Sequence, residues 1–205
     1  MEHRNASNHH EPWNKGKLGM TNYPFRSIED FDDVEVKGVW RRLVEAGKVS
    51  ATEYLDHLRH TSRDNAGTPM QWSTAENGGL TTGKPWFAVN PNYKEINAAS
   101  QIDDPASVYN HHRRLLALRR QTPALVYGEY RDVDPEHEKV FAYLRTLWDV
   151  SFLVLINFSR KRIDYALPGL KVGATVLDNG AGETARVGSA TVSLAPWQAT
   201  IYSTI

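Results

Sequence analysis

Two periods of apolar positions divide this chain. Past Thr122-Pro123 the period is two: Glu129 to Val133, Val140 to Arg145, Ser151 to Phe158, Ile163 to Leu167, Ala174 to Leu177, Thr191 to Leu194 and Gln198 to Tyr202 are short runs rich in Val, Ile, Leu, Phe and Tyr. Turn signals separate them at Asp134-Pro135, Trp148-Asp149, Pro168-Gly169, Asn179-Gly180 and Ala195-Pro196. Alternation turns one side of each run inward, and several such strands at this spacing predict an antiparallel β-sandwich over residues 125–205. A segment of about 80 residues can bury a modest core.

Ahead of it the pattern is helical with breaks. Ser50 followed by Glu53 forms a capping box, and Tyr54, Leu55 and Leu58 share one face, predicting a helix from about Ser50 to His60. Ser27 before Glu29 and Asp30 places a capping hydroxyl ahead of carboxylates that favour a helix amino terminus. Asp104 as cap, with Pro105 at the first helical position, predicts a longer helix carrying Val108, His112, Leu115 and Leu118 at helical spacing. Its Arg113, Arg114, Arg119 and Arg120 lie on other faces or near the carboxy end, where cations suit the dipole. His111 and His112 are adjacent and cannot share a helix face, so both are expected to be structural.

Residues 61–97 have neither period and read as a long, ordered, functional loop. Trp72 and Trp86 supply flat apolar faces, and Arg63, Asp64 and Asn65 supply charged and amide groups. Pro69, Pro85, Pro91, Gly78, Gly79 and Gly83 stiffen or bend the backbone between them. That mix suits a sugar, with its apolar ring face and rim of hydroxyls. A tryptophan beside proline and glycine in a long loop is more often the loop's own core, and this is the reading expected for both. Arg63 is the candidate substrate-binding residue, because its planar fork of donors can hold a carboxylate and sugar hydroxyls together. The alternative is that it ties its own loop together through Asp64 and nearby carbonyls.

Composition narrows the classes. Lysine plus arginine equals aspartate plus glutamate at 24 each, so no field draws nucleic acid or an anionic membrane. Cysteine is absent, which removes disulfides and thiolate chemistry. No apolar run reaches the roughly 18 residues of a membrane span, and the amino terminus lacks a signal-peptide core, in keeping with a cytoplasmic location. Residues 1–17 are polar, without periodicity, and read as a disordered leader. Its His3, His9 and His10 cannot hold a metal in fixed geometry on a flexible tail, so no metal and no cofactor is expected.

The strings Thr-Ser-Arg-Asp-Asn-Ala-Gly-Thr-Pro-Met-Gln-Trp (61–72) and Gly-Leu-Thr-Thr-Gly-Lys-Pro-Trp-Phe-Ala-Val-Asn-Pro-Asn-Tyr-Lys-Glu-Ile-Asn (79–97) resemble a segment of the exo-acting α-glucosidases of glycoside hydrolase family 13. That segment follows the last barrel strand in the oligo-1,6-glucosidase, trehalose synthase and sucrose isomerase group. Leu18-Gly-Met-Thr-Asn22 resembles the end of the eighth strand motif and Ser27-Ile-Glu-Asp-Phe31 the helical excursion after it. Asp104 to Arg120 resembles the eighth barrel helix, and Leu194-Ala-Pro-Trp-Gln-Ala-Thr-Ile-Tyr202 the closing strand of the β domain that follows. Gly67 departs from the pattern, since members usually carry a second arginine there.

The resemblance implies an α+β chain. Residues 18–124 are then the end of a TIM barrel, with the loop and helices after strand 8, and residues 125–205 the β-sandwich. A full barrel needs about 250 residues, and retention needs two carboxyls about 5 to 5.5 Å apart. Both belong to strands upstream of anything in this sequence, so no catalytic residue is assigned. The parent's substrate would be an α-linked oligosaccharide or disaccharide, and Arg63 resembles the arginine that pairs with an aspartate of the first barrel loop around the terminal glucose. The helix faces that the barrel would cover are expected to lack their floor, and so to pack on the β-sandwich or drive self-association. A different class, a carbohydrate-binding or interaction module, stays open.

Overall fold

The computed structural model describes residue 18 and residues 20–205; the leader, with its histidines, lies outside the described residues. The chain divides into two compact units, one ending at His112 and the other spanning Arg113–Ile205.

The first unit is built from short helices and long connections: α1 (Val34–Trp40), α2 (Ala51–Thr61), α3 (Asp64–Gly67), α4 (Ala98–Ile102) and the start of α5 (Val108–Gln121). Caps set the starts. The Asp33 carboxylate accepts from the Glu35 N–H at 2.8 Å, the Ser50 hydroxyl from the Glu53 N–H at 3.2 Å, and the Asn97 carbonyl oxygen Oδ1 from the Ser100 N–H at 2.9 Å.

The floor of α2 turns out to be local. Leu58 is buried with Phe25, Phe31, Val36 and Phe87, and Tyr54 and Leu55 pack against that cluster. Phe25 stacks on Phe31 at 4.1 Å between ring centroids and meets Phe87 edge-on at 5.8 Å. Burying each such side chain is worth about 1.5 to 3 kcal/mol, so this small aromatic core stands in for the cover expected to be missing.

The start of α5 differs from the pattern read in the sequence. Asp104 closes a turn of its own, its carboxylate accepting from the Ala106 N–H at 2.9 Å, and the helix begins at Val108. The cap is the Ser107 hydroxyl, which accepts from the Asn110 N–H at 3.2 Å. The Asn110 amide donates back to the carbonyls of Gln101, Ile102 and Asp104, holding residues 101–107 in a turn that Pro105 fits without being helical.

The second unit contains the end of α5, the short α6 (Pro123–Tyr127) and seven strands. These are β1 (Glu129–Asp132), β2 (Val140–Leu147), β3 (Val150–Asn157), β4 (Ile163–Ala166), β5 (Val172–Asp178), β6 (Thr191–Leu194) and β7 (Ala199–Thr204). Each of the seven alternating runs is a strand. All pairings are antiparallel, in a five-stranded sheet ordered β1-β2-β3-β7-β5 and a two-stranded sheet β4-β6. The β2-β3 hairpin turns through Trp148, whose φ of 54° matches the left-handed position of a tight hairpin loop.

The two sheets share one core. Val140, Ala142, Leu144, Leu153, Leu155 and Tyr202 of the large sheet meet Tyr165, Val192 and Leu194 of the small one. Asn157, fully buried, joins the sheets by polar means as well. Its amide donates to the carbonyls of Lys161, Leu194 and Ala195, and its Oδ1 accepts from the Ser159 N–H and hydroxyl. Two arginines satisfy the carbonyl end of α6, Arg119 donating to Leu125 at 2.7 Å and Arg145 to Val126 at 3.0 Å.

Candidate functional site

The stretch from Thr61 to Asn97 is organised by side-chain amides and two charged pairs. Asn65 is buried; its Oδ1 accepts from the Tyr23 N–H at 2.9 Å and its amide donates to the Arg59 carbonyl at 3.1 Å. Asn90 donates to the carbonyls of Thr21 and Asn22, and Asn92 to the Thr21 hydroxyl at 2.7 Å. Gln71, fully buried, donates to the Asn92 side chain and to the Ile96 carbonyl. The long loop is thereby sewn to residues 21–23. This satisfies backbone groups that no regular structure pairs.

Arg63 and Asp64 clasp the entry to α1. Arg63 donates from Nε and Nη2 to the two carboxylate oxygens of Asp33 at 3.0 and 3.1 Å, the two-point geometry that suits a guanidinium. Glu35 stands 3.6 Å from the same Nη2. The Asp64 carboxylate in turn accepts from the N–H groups of Asp32 and Asp33 at 2.9 and 3.1 Å. The pairing is lopsided in exposure: the Arg63 side chain is 74% exposed and that of Asp33 only 7%. The Arg63 bond is the main cause holding the Asp33 carboxyl below its ordinary range, helped by the Glu35 N–H and opposed by desolvation. Beside the pair lies a cleft of about 260 Å³ bounded by Asp33, Glu35, Val36, Tyr54, Leu58 and Arg63.

Arg63 therefore reaches 30 residues back to Asp33, and not to Asp64 beside it as a loop tie would require. Asp33 escaped the sequence reading; the one signal was its place directly before the α1 apolar positions, where a cap belongs. The tryptophans are corrected too. Trp72 is 51% and Trp86 69% exposed, while Phe87 takes the core position. Trp86 is nonetheless oriented, because its indole N–H donates to the Gly67 carbonyl at 3.0 Å. Its ring lines a smaller cleft with Tyr23, Asp30, Asp32 and Phe87.

Among the described residues no group of three or more His, Asp or Glu side chains is arranged to hold a metal ion. No helix among them is long and apolar enough to cross a membrane.

The chain is similar to known enzymes over most of its length. The oligo-1,6-glucosidase of Parageobacillus thermoglucosidasius is 37% identical over 189 residues, covering 91% of this chain and 34% of its own length. The glucan 1,6-alpha-glucosidase of Streptococcus pneumoniae is 38% identical over 183 residues, 89% of this chain and 33% of its own. Among solved structures, isomaltulose synthase from Erwinia rhapontici superposes with a TM-score of 0.86 at 49% identity, over 93% of this chain and 34% of that enzyme. The chain thus spans about a third of the length of the relatives it matches. Residues 16–128 match the alpha amylase catalytic domain, and the chain belongs to the alpha-amylase family.

Proposed function

We propose that this chain is the carboxy-terminal portion of an oligo-1,6-glucosidase-like enzyme that hydrolyses or isomerises α-glucosidic bonds in oligosaccharides or disaccharides with retention. Residues 18–124 are the end of its barrel and residues 125–205 its β domain. One observation carries the reading: 93% of the chain superposes on isomaltulose synthase while accounting for 34% of that enzyme. The two carboxyls that retention requires stand, by the family resemblance, upstream of this stretch, so the chain alone does no glycoside chemistry. Arg63 is its substrate contact. Two of its nitrogens are engaged by Asp33, which leaves Nη1 to donate to a sugar hydroxyl, and the guanidinium is exposed enough to be reached.

The exposed Trp72 and Trp86 favour a second reading, a carbohydrate-binding module, since aromatic faces stack on sugar rings. Calorimetric titration of the chain with isomaltotriose separates the two. The enzyme-portion reading predicts no saturable heat; saturable binding lost in Trp72→Ala or Trp86→Ala would replace it with the module.

A further inference from the structure

The sequence holds two Asn-Gly pairs, Asn77-Gly78 and Asn179-Gly180, and the fold sets them in opposite circumstances. An asparagine side chain is an amide electrophile close to the next backbone nitrogen, and a following glycine offers that nitrogen without a Cβ in the way. At the end of β5 the surroundings favour this attack. The Asp178 carboxylate accepts from the Gly180 N–H at 2.6 Å, so a base sits on the proton that the nitrogen must lose. The Asn179 Oδ1 accepts from the N–H groups of Ala181 at 3.3 Å and Ala199 at 3.1 Å, two donors at the oxygen where negative charge develops. The Ala181 bond also folds the side chain over the Gly180 peptide, since the ring it closes contains both the Asn179 Cγ and the Gly180 nitrogen. The Asn179 amide is oriented by donating to the Trp197 carbonyl at 2.8 Å. Asn179 and Gly180 are exposed to water, and nothing lies within 4 Å of where a Cβ would stand on Gly180. Asn77 is held differently. Its amide donates to the carbonyls of Thr81 and Gly83 at 3.2 and 3.1 Å, and Gly78 is buried against Val89 and the Gln71 backbone.

We propose that Asn179 is a site of self-modification, deamidated within the fold through a succinimide with Asp178 as the base. As the Gly180 nitrogen bonds to the Asn179 Cγ, its proton passes to the Asp178 carboxylate and the carbonyl electron pair moves onto Oδ1, held by Ala181 and Ala199. The pair then returns and the Cγ–Nδ2 bond breaks. The proton taken up by Asp178 leaves with that nitrogen as ammonia, which restores the carboxylate. Water opens the five-membered imide at either carbonyl, giving aspartate or isoaspartate at position 179. A positioned base and preset donors each lower the barrier. The product alters the fold locally. The Trp197 carbonyl loses its donor, and a second carboxylate stands next to Asp178, where β5 pairs with β7.

The purified chain is aged in neutral buffer and mapped by peptide mass spectrometry, which reads the gain of about 1 Da at each asparagine; enzymatic methylation scores isoaspartate. Conversion at Asn179 is expected to outrun that at Asn77 by about tenfold or more, and to be faster in the folded chain than in the same chain unfolded in guanidinium chloride. Asp178→Ala is expected to slow the folded conversion at position 179 by about tenfold and to change the unfolded rate little. Conversion at position 179 that is slower in the fold than in denaturant overturns the proposal, and that comparison uses the unaltered chain. Equal folded rates in the wild type and Asp178→Ala, with circular dichroism showing both folded, overturn it as well.

Discussion

The guanidinium of Arg63 grips the carboxylate of Asp33 at two points, 3.0 and 3.1 Å, across 30 residues of chain. One partner is mostly exposed and the other nearly buried. Removing the exposed partner leaves a covered carboxylate supported by the N–H groups of Glu35 and Val36 alone among the groups that lower its pKa. Arg63→Ala is expected to lower stability, because solvent screens the guanidinium but not the carboxylate it leaves behind. Arg63→Lys should recover little of it, since an ammonium cannot make the two-point bond. A double-mutant cycle with Asp33→Ala, followed by urea unfolding, reads the coupling; additive losses would show that the pair contributes nothing.

The same pair sets an acid sensitivity. The Asp33 carboxyl is held below its ordinary value in the fold, so its contribution is present above the usual carboxylate pKa of about 4. It is lost as pH falls through the lowered folded value. Protection of the Glu35 amide, whose N–H is bonded to Asp33, should therefore fall relative to its intrinsic exchange rate on acidification below about pH 4, and Asp33→Asn should flatten that dependence.

Tyr165 sets an alkaline one. Burial is the main cause pushing its phenol up to about 12, with Asp134 adding to it. An unfolded tyrosine ionises near about 10, so between these values the unfolded chain binds fewer protons and the β unit loses stability as pH rises. The phenolate absorbance of the wild type minus that of Tyr165→Phe should show a late ionisation. Tyr165→Phe should also weaken the alkaline loss of stability, and an ordinary tyrosine titration in the difference would refute the assignment.

Asn157 joins the sheets through buried bonds to Leu194 and Ala195. Asn157→Ala leaves those carbonyls buried without their donor and should cost about 1 to 3 kcal/mol. Denaturant unfolding followed by near-ultraviolet circular dichroism of the β unit measures it.

Gly67 stands where the family pattern has an arginine. A Cβ built there meets nothing within 4 Å, and α3 ends on this residue. Gly67→Arg should therefore fold normally. It should match or exceed the parent in stability by up to about 1 kcal/mol, because glycine is a poor helix former; a lowered melting temperature would reveal a constraint on that backbone.

The β unit was legible in the sequence because its determinants are local: alternation fixes the face of each run, and pairs such as Asn179-Gly180 fix the turns between them. The first unit was less so, because its determinants are distant. Asn90 bonds to Thr21 across 69 residues and Arg63 to Asp33 across 30, and no short-range pattern encodes either. Local rules also competed at Asp104, where a valid cap and proline lost to the Asn110 amide and its carbonyl partners. At the loop core Phe87 displaced Trp86, whose N–H took the Gly67 carbonyl at the surface.

In the function proposed here, this chain carries the scaffold and one sugar contact of an α-glucosidase but not its reacting carboxyls. The direct measurement is glucose release from isomaltose or a nitrophenyl α-glucoside by the purified chain. None above background is expected, since without both carboxyls of a retaining pair there is no partial route. Robust release that is abolished by replacing a carboxylate within residues 18–124 would contradict it.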